Sequence, residues 1–116
     1  MKIERFEDII AWQKGQELTV LAFRNFRNNK DFTFRNQIFG ALYSITNNIA
    51  EGFERRSNKE LRQFLFISKG SAGEVRNMLH VAKAVDYIKE PEFKAMFELC
   101  ETISKMLSGF IKSLQM

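Results

Sequence analysis

The stretch of sequence that decides the fold is FRNQIFGALYSITNNIAEG, residues 34–52. Its apolar residues recur every three or four positions, which is the period of an α-helix that buries one face. The buried stripe comprises Phe34, Ile38, Ala41, Leu42, Ile45, Asn48, Ile49 and Gly52. Neither this stretch nor its neighbours alternate polar and apolar residues with period two, so we expect helices and no strands.

Three further segments show the same helical period, and the sequence therefore predicts four helices of similar length. They cover about residues 6–27, 33–54, 58–86 and 91–114. In the first of them we place Ile10 on the inner face. The links are short, and short links between consecutive helices favour antiparallel neighbours. We predict an all-α fold, an antiparallel up-down-up-down four-helix bundle that forms a single domain over residues 1–116.

Two helix starts carry recognisable chemistry. Ser57 and Glu60 match a capping box, in which the serine hydroxyl accepts from a helical amide and the glutamate returns to the serine amide. Pro91 suits the first turn of a helix, because its missing N–H would be unpaired there anyway. These signals indicate where the third and fourth helices begin.

Composition restricts the class of protein. Hydrophobic residues make up 45% and charged residues 28%, the balance of a globular protein rather than a disordered one. The single cysteine, Cys100, excludes an internal disulfide and is predicted to be a buried thiol. No apolar run reaches the roughly 18 residues that span a bilayer, and acidic residues occupy the N-terminus where a signal peptide is apolar. We expect a cytoplasmic location and no membrane partner.

The sequence offers little for catalysis. His80 is the only histidine, so the chain cannot form the histidine pairs that bind a metal. No glutamate precedes it by three residues, as di-iron bundles require. Phosphate-binding glycine loops and the nucleophile elbow are also missing from the sequence. We predict a protein that is not an enzyme and uses no metal or cofactor.

Positive charge is concentrated in the third predicted helix. The net charge is +4, and because residues 1–54 are balanced, the excess lies in residues 55–116. The candidate nucleic-acid-binding residues there are Arg55, Arg56, Lys59, Arg62, Lys69, Arg76 and Lys83. The basic ridge consists of those that recur every seven residues, namely Arg55, Arg62, Lys69, Arg76 and Lys83. A seven-residue step drifts only about 20° around a helix. The ridge favours an anionic partner, although a solvated helix face gives the same pattern.

Two polar clusters interrupt the apolar stripes of the second and third helices, and in antiparallel neighbours they would meet. Their members, which we call the polar motif, are Ser44, Asn48, Glu51, Gly52, Gly70, Ser71 and Glu74. A buried polar group without a partner costs about 1–3 kcal/mol. The motif therefore either satisfies itself and fixes the helix register or contacts a ligand, and the sequence leaves both interpretations open.

Apolar residues outside the inner stripes point to self-association. They are Trp12, Val20, Phe23, Phe39, Tyr43, Phe53 and Phe66. Exposed together, they would exceed the apolar surface that a soluble monomer usually shows. Gly70 and Gly73 each cost roughly 0.5–1 kcal/mol relative to alanine inside a helix, which close approach of a helix from the same or another chain would offset. We predict a homo-oligomer.

Several short motifs recur together along nearly the whole chain. They are FEDIIAWQ at residues 6–13, Gln37-Ile38, Ser44-Ile45, NIAEG at residues 48–52, Arg56, Ser57, Glu60 and GSAGE at residues 70–74. On these motifs the chain resembles the bacterial four helix bundle proteins, a family also called 23S rRNA intervening-sequence proteins or ribosomal-protein-like bundles. The pair formed by NIAEG and GSAGE is the most specific part of the resemblance.

The resemblance implies a binding role. Genes of this family occur inside intervening sequences of large-subunit rRNA genes, relatives assemble as pentameric rings, and a related retroelement accessory protein binds nucleic acid and a reverse transcriptase. By analogy this chain would form a homopentameric ring with a basic face that binds RNA rather than DNA. Phe39 and Gly40 stand where basic residues would be expected, so the third helix would have to carry the contact. The alternative is an adaptor that binds a protein partner through its surface aromatics.

Overall fold

The computed structural model describes residues 2–114, and these residues form an all-helical fold. A short 3₁₀ turn at Phe6–Asp8 precedes four helices. They are α1 (Ile10–Phe26), α2 (Phe32–Phe53), α3 (Asn58–Ala84) and α4 (Glu90–Ser113). No strand occurs among the described residues, so the all-α prediction is confirmed. None of the described helices is long and apolar enough to cross a membrane.

Each helix contacts two others, so within one chain the helices follow one another around the bundle in the order α1, α2, α3, α4, and α4 packs against α1. Ile45 and Ser68 are joined by a hydrogen bond, while Gly52 lies against Phe64, so positions rise along α2 as they fall along α3. The same reversal appears in Gly15–Thr46 and Phe26–Phe34 between α1 and α2, and in Arg76–Phe97 and Lys83–Phe93 between α3 and α4. Consecutive helices therefore run in opposite directions.

The first helix begins later than the sequence indicates. Asp8 accepts hydrogen bonds from the amides of Glu4 and Arg5 at 3.1 and 3.3 Å, which closes the preceding turn. Ile9 then adopts an extended conformation, with φ −76° and ψ 119°. As a result Ile9 is buried and Ile10 is 44% exposed. The placement of Ile10 on the inner face was wrong, because Ala11 is the buried residue of the first turn and Ile10 lies about 100° from it around the helix.

Side-chain caps hold the starts of α2 and α3. Asp31 accepts from the Phe34 amide at 3.1 Å, and Ser57 accepts from the Glu60 amide at 3.2 Å. The return bond of the predicted capping box, from the Ser57 amide to the Glu60 side chain, does not form. Tyr87 donates a 2.6 Å hydrogen bond to Asp31, which lowers the pKa of that carboxyl and ties the start of α2 to the loop before α4.

Cys100 is a buried, free thiol on the inner face of α4, as the sequence predicts. Burial raises the pKa of this thiol from 9.0 to about 12, and the nearby charge of Arg76 opposes the rise. The unfolded chain therefore loses this proton at a lower pH than the folded chain. The contribution of Cys100 to stability is complete below pH 9.0 and is lost as the pH rises towards 12.

We expect Cys100 to react with a thiol reagent only when the protein unfolds. The thiolate is the reactive form, and both burial and the raised pKa suppress it in the native state. A disulfide-exchange reagent at about pH 8 should label the denatured chain rapidly and the native chain more slowly by a factor of about 100 or more. Equal labelling rates with and without denaturant would show that the packed bundle does not enclose this residue.

Candidate nucleic-acid interface

The later part of the basic ridge, Arg76 and Lys83, lies at the boundary between α3 and α4. The guanidinium of Arg76 sits 5.7 Å from the ring centre of Phe97, and the Lys83 ammonium sits 4.6 Å from that of Phe93. Both aromatic residues belong to α4. Because the ridge drifts by about 20° at each seven-residue step, its earlier members lie progressively further around α3 from this boundary.

The two ends of the basic ridge are neutralised within the chain. Arg55 pairs with Glu51 at 2.5 Å and also lies 4.9 Å from the ring centre of Phe64. Lys83 pairs with Glu90 at 2.5 Å. These two cations therefore offer less charge to an anionic ligand than their positions in the sequence indicate.

Between these ends, five cations have no ion pair within residues 2–114, and we call them the unpaired cations. They are Arg56, Lys59, Arg62, Lys69 and Arg76. Arg62 extends over the exposed ring of Phe66 at 5.2 Å. Arg76 is half-buried, and its Nε is enclosed without a hydrogen-bond partner among the described residues. Arg56 and Lys59 are exposed, whereas Arg62 and Lys69 are half-buried like Arg76, so Arg56 and Lys59 are the most accessible of the five.

The structure brings three members of the polar motif together. Asn48 donates from Nδ2 to the Ser44 carbonyl at 2.8 Å and to the Ser44 hydroxyl at 2.9 Å. Ser71 on α3 donates to the same hydroxyl at 2.6 Å. Ser68, which lies outside the predicted motif, donates to the carbonyl of Ile45 at 2.8 Å from a fully buried position. Ser68 interrupts the apolar stripe of the third helix in the sequence, and this interruption is the signal that could have identified it.

The remaining members of the polar motif do not join this network. Glu51 and Glu74 are not buried, and Glu51 pairs with Arg55 instead. Gly52 allows close approach of α2 and α3, since a Cβ there would lie 2.7 Å from the Cβ of Phe64. Gly70 is exposed, and a Cβ at this position would meet no atom within 4 Å. Ser44, Asn48 and Ser71 thus form a hydrogen-bonded network that joins α2 and α3.

The outward face of α3 carries apolar residues beside two glycines. Phe66, Ile67, Val81 and Val85 are exposed. A Cβ added at Gly70 or Gly73 would meet no atom within 4 Å, so packing inside the bundle requires neither glycine. Of the other residues outside the stripes, Val20, Phe23 and Tyr43 are exposed and Trp12, Phe39 and Phe53 are half-buried.

His80 packs against aromatic rings on α4. Its ring centre lies 5.3 Å from that of Phe93 and 5.0 Å from that of Phe97. In the part of the chain that the structure describes, no group of three or more histidine, cysteine or acidic side chains is arranged to hold a metal ion. His80 therefore contributes to the packing of α3 on α4.

The four helices together define a small all-α bundle. The family of 23S rRNA-intervening sequence proteins matches residues 7–109, and the chain belongs to this family. A crystal structure from Bacteroides thetaiotaomicron, of a protein with unknown function from the S23 ribosomal protein family, is similar with a TM-score of 0.81. It is 23% identical, covering 89% of this chain and 99% of the other, and this likeness concerns the fold. A comparison with curated proteins gave no match.

Proposed function

We propose that the protein is a non-enzymatic RNA-binding bundle that holds RNA phosphates on the unpaired cations, which lie in α3 and just before it. The observation that carries the proposal is the run of Arg56, Lys59, Arg62, Lys69 and Arg76 without ion pairs in the described chain. Hydrogen bonds from arginine and lysine to phosphate are charge-assisted, and they are about twice as strong as neutral ones. The counterions released from the RNA add to the affinity.

The family supports RNA over DNA as the partner. Its description names a 23S rRNA intervening sequence, and the chain supplies a surface that suits a polyanion. Contacts to phosphates position a nucleic acid and do not read its sequence. We therefore expect the α3–α4 boundary to bind structured RNA with little sequence preference.

Binding of a labelled RNA hairpin tests this function directly. Fluorescence anisotropy at low salt should show saturable binding, and an unlabelled RNA hairpin should compete better than duplex DNA of equal charge. A protein that fails to bind the hairpin at low salt, while circular dichroism shows a folded helical state, would contradict the proposal. Salt-insensitive capture of one protein partner would then favour the adaptor interpretation.

We further propose that the protein self-associates through the outward face of α3. The copies would form a ring, in which the positive charges of several copies act together on one RNA. Phe66, Ile67, Val81 and Val85 are exposed there, and apolar surface of this kind is commonly buried between subunits. Gly70 and Gly73 lie on the same helix, and a Cβ at either would have no neighbour within 4 Å. A second copy packed closely on this face explains why two unfavourable glycines occur inside a helix.

Replacing Gly70 and Gly73 with alanine is expected to stabilise the helix α3 and at the same time to weaken the assembly of copies. Each substitution should stabilise an isolated α3 by roughly 0.5–1 kcal/mol. On a close interface, however, the added methyl groups should weaken association by about tenfold or more. Sedimentation equilibrium of wild type and variant measures both the mass and the dissociation constant. Gly109→Ala is the matched control, because a Cβ at that glycine on α4 would also meet no atom within 4 Å. Unchanged assembly in the double variant would exclude this face.

A further inference from the structure

A groove opens between the end of α1 and the first half of α2, and three aromatic rings line it. Its volume is about 690 Å³, within the roughly 300–1,000 Å³ usual for ligand sites. Phe39 and Tyr43 stack with their ring centres 6.0 Å apart and a 28° angle between the planes. Phe23 meets Phe39 edge-on at 6.2 Å. Phe23 is 48% and Tyr43 51% exposed, so flat aromatic surface faces the groove.

Two arginines bring positive charge to these rings. The Arg27 guanidinium lies 5.7 Å from the ring centre of Phe23. Arg35 donates from Nη1 to the Arg27 carbonyl at 2.9 Å and lies 4.9 Å from the ring centre of Phe32, which holds it in place. Within residues 2–114 neither arginine forms an ion pair, and no carboxylate lines the groove. The groove is therefore aromatic and cationic.

Gly40 keeps the groove open. It lines the groove between Phe39 and the next turn of α2, and a Cβ at this position would meet no atom within 4 Å. Packing within the chain therefore does not require a glycine here, although glycine is unfavourable inside a helix. A larger side chain at this position would occupy the space beside the stacked rings.

We propose that this groove binds unpaired bases of a single-stranded nucleic acid. Bases stack on aromatic side chains whatever their sequence, and the guanidiniums of Arg27 and Arg35 suit the phosphates on either side. The amides of Asn28 and Asn36, which also line the groove, can donate to and accept from base edges. The α1–α2 groove lies opposite the α3–α4 boundary in the ring of helices. It is thus a separate site, and it does not require the unpaired cations.

Filling the groove at Gly40 tests the inference without removing a packed side chain. The variant is Gly40→Leu, and Gly109→Leu is the matched control because its Cβ would also be free of contacts. The probes are a short labelled oligoadenylate and an abasic oligomer of equal length and charge. We expect wild type and control to prefer the oligoadenylate by about tenfold or more. Gly40→Leu should bind both probes equally weakly.

Equal affinity of wild type for the two probes would overturn the inference, because stacking would then contribute nothing. A change in oligomeric mass caused by Gly40→Leu alone would also overturn it, since the groove would then be an interface between copies. The variant with Lys59, Arg62 and Lys69 changed to glutamate separates the two sites. It should keep its preference for the oligoadenylate even though it binds an RNA hairpin about 100-fold more weakly. If this variant lost the preference while Gly40→Leu kept it, the bases would be bound at the α3 surface, and the proposed groove site would be wrong.

Discussion

Replacing Lys59, Arg62 and Lys69 with glutamate is expected to weaken binding of an RNA hairpin by about 100-fold or more at low salt. These three residues belong to the unpaired cations, and none is held in an ion pair within residues 2–114. Reversing their charge removes three phosphate contacts and adds repulsion. The dependence of affinity on salt should also fall by about one unit of slope for each lost contact. Anisotropy titrations at several salt concentrations measure both effects.

The control for this variant places the same three charge changes on α4. Lys94, Lys105 and Lys112 are exposed and have no ion pair among the described residues. Changing them to glutamate alters the net charge equally and leaves the α3 cations intact. We expect this control to retain most of its affinity. Equal losses in the two variants would show that net charge, and not the arrangement on α3, determines binding.

Replacing Gly52 with alanine is expected to cost about 1–3 kcal/mol of folding free energy. The new Cβ would lie 2.7 Å from the Cβ of Phe64 and 3.1 Å from Cδ1 of Leu61. Because a Cβ cannot rotate away, α2 and α3 must move apart. That movement would also strain the nearby hydrogen bonds of Ser68 and Ser71 across the same interface. Urea denaturation followed by circular dichroism measures the loss.

Two further pairs of variants test whether the lost stability comes from the clash of an added Cβ, one at Gly52 and one at Gly15. Phe64→Ala should not rescue Gly52→Ala, because alanine keeps the Cβ that causes the clash. Thr46→Ser should rescue Gly15→Ala in part, because the nearest atom to a Cβ at Gly15 is the Thr46 Cγ2 at 2.8 Å, which serine lacks. Wild-type stability in Gly52→Ala would mean that the two helices are not as close at this point as the structure has them.

The helical period was sufficient to predict the number of helices and most of their buried faces. The stripe from Phe34 to Ile49 is buried at its apolar positions, because a regular helix repeats its orientation reliably. The error at Ile10 has a local cause. The turn closed by Asp8 shifts the helix start past Ile9, and a shift of one residue rotates a side chain by about 100°.

The surface was harder to predict, because it depends on which helices become neighbours. Lys83 falls on the basic ridge by spacing alone, yet Glu90 neutralises it once α4 is in place. The pair of Arg55 with Glu51 is local, since the two residues are four apart in the chain. The rings that line the groove were recognised only as residues outside the stripes. Their arrangement with Arg27 requires α1 and α2 to pack side by side.

The salt dependence of RNA affinity tests the central claim most directly. Wild-type protein and a labelled RNA hairpin would be titrated from low to physiological salt. Contact by the five unpaired cations of one protomer predicts a slope of log K against log salt near about −4, and a steeper slope if several protomers engage one RNA. A folded protein that does not bind at low salt, or an affinity that stays constant as salt rises, would contradict the account.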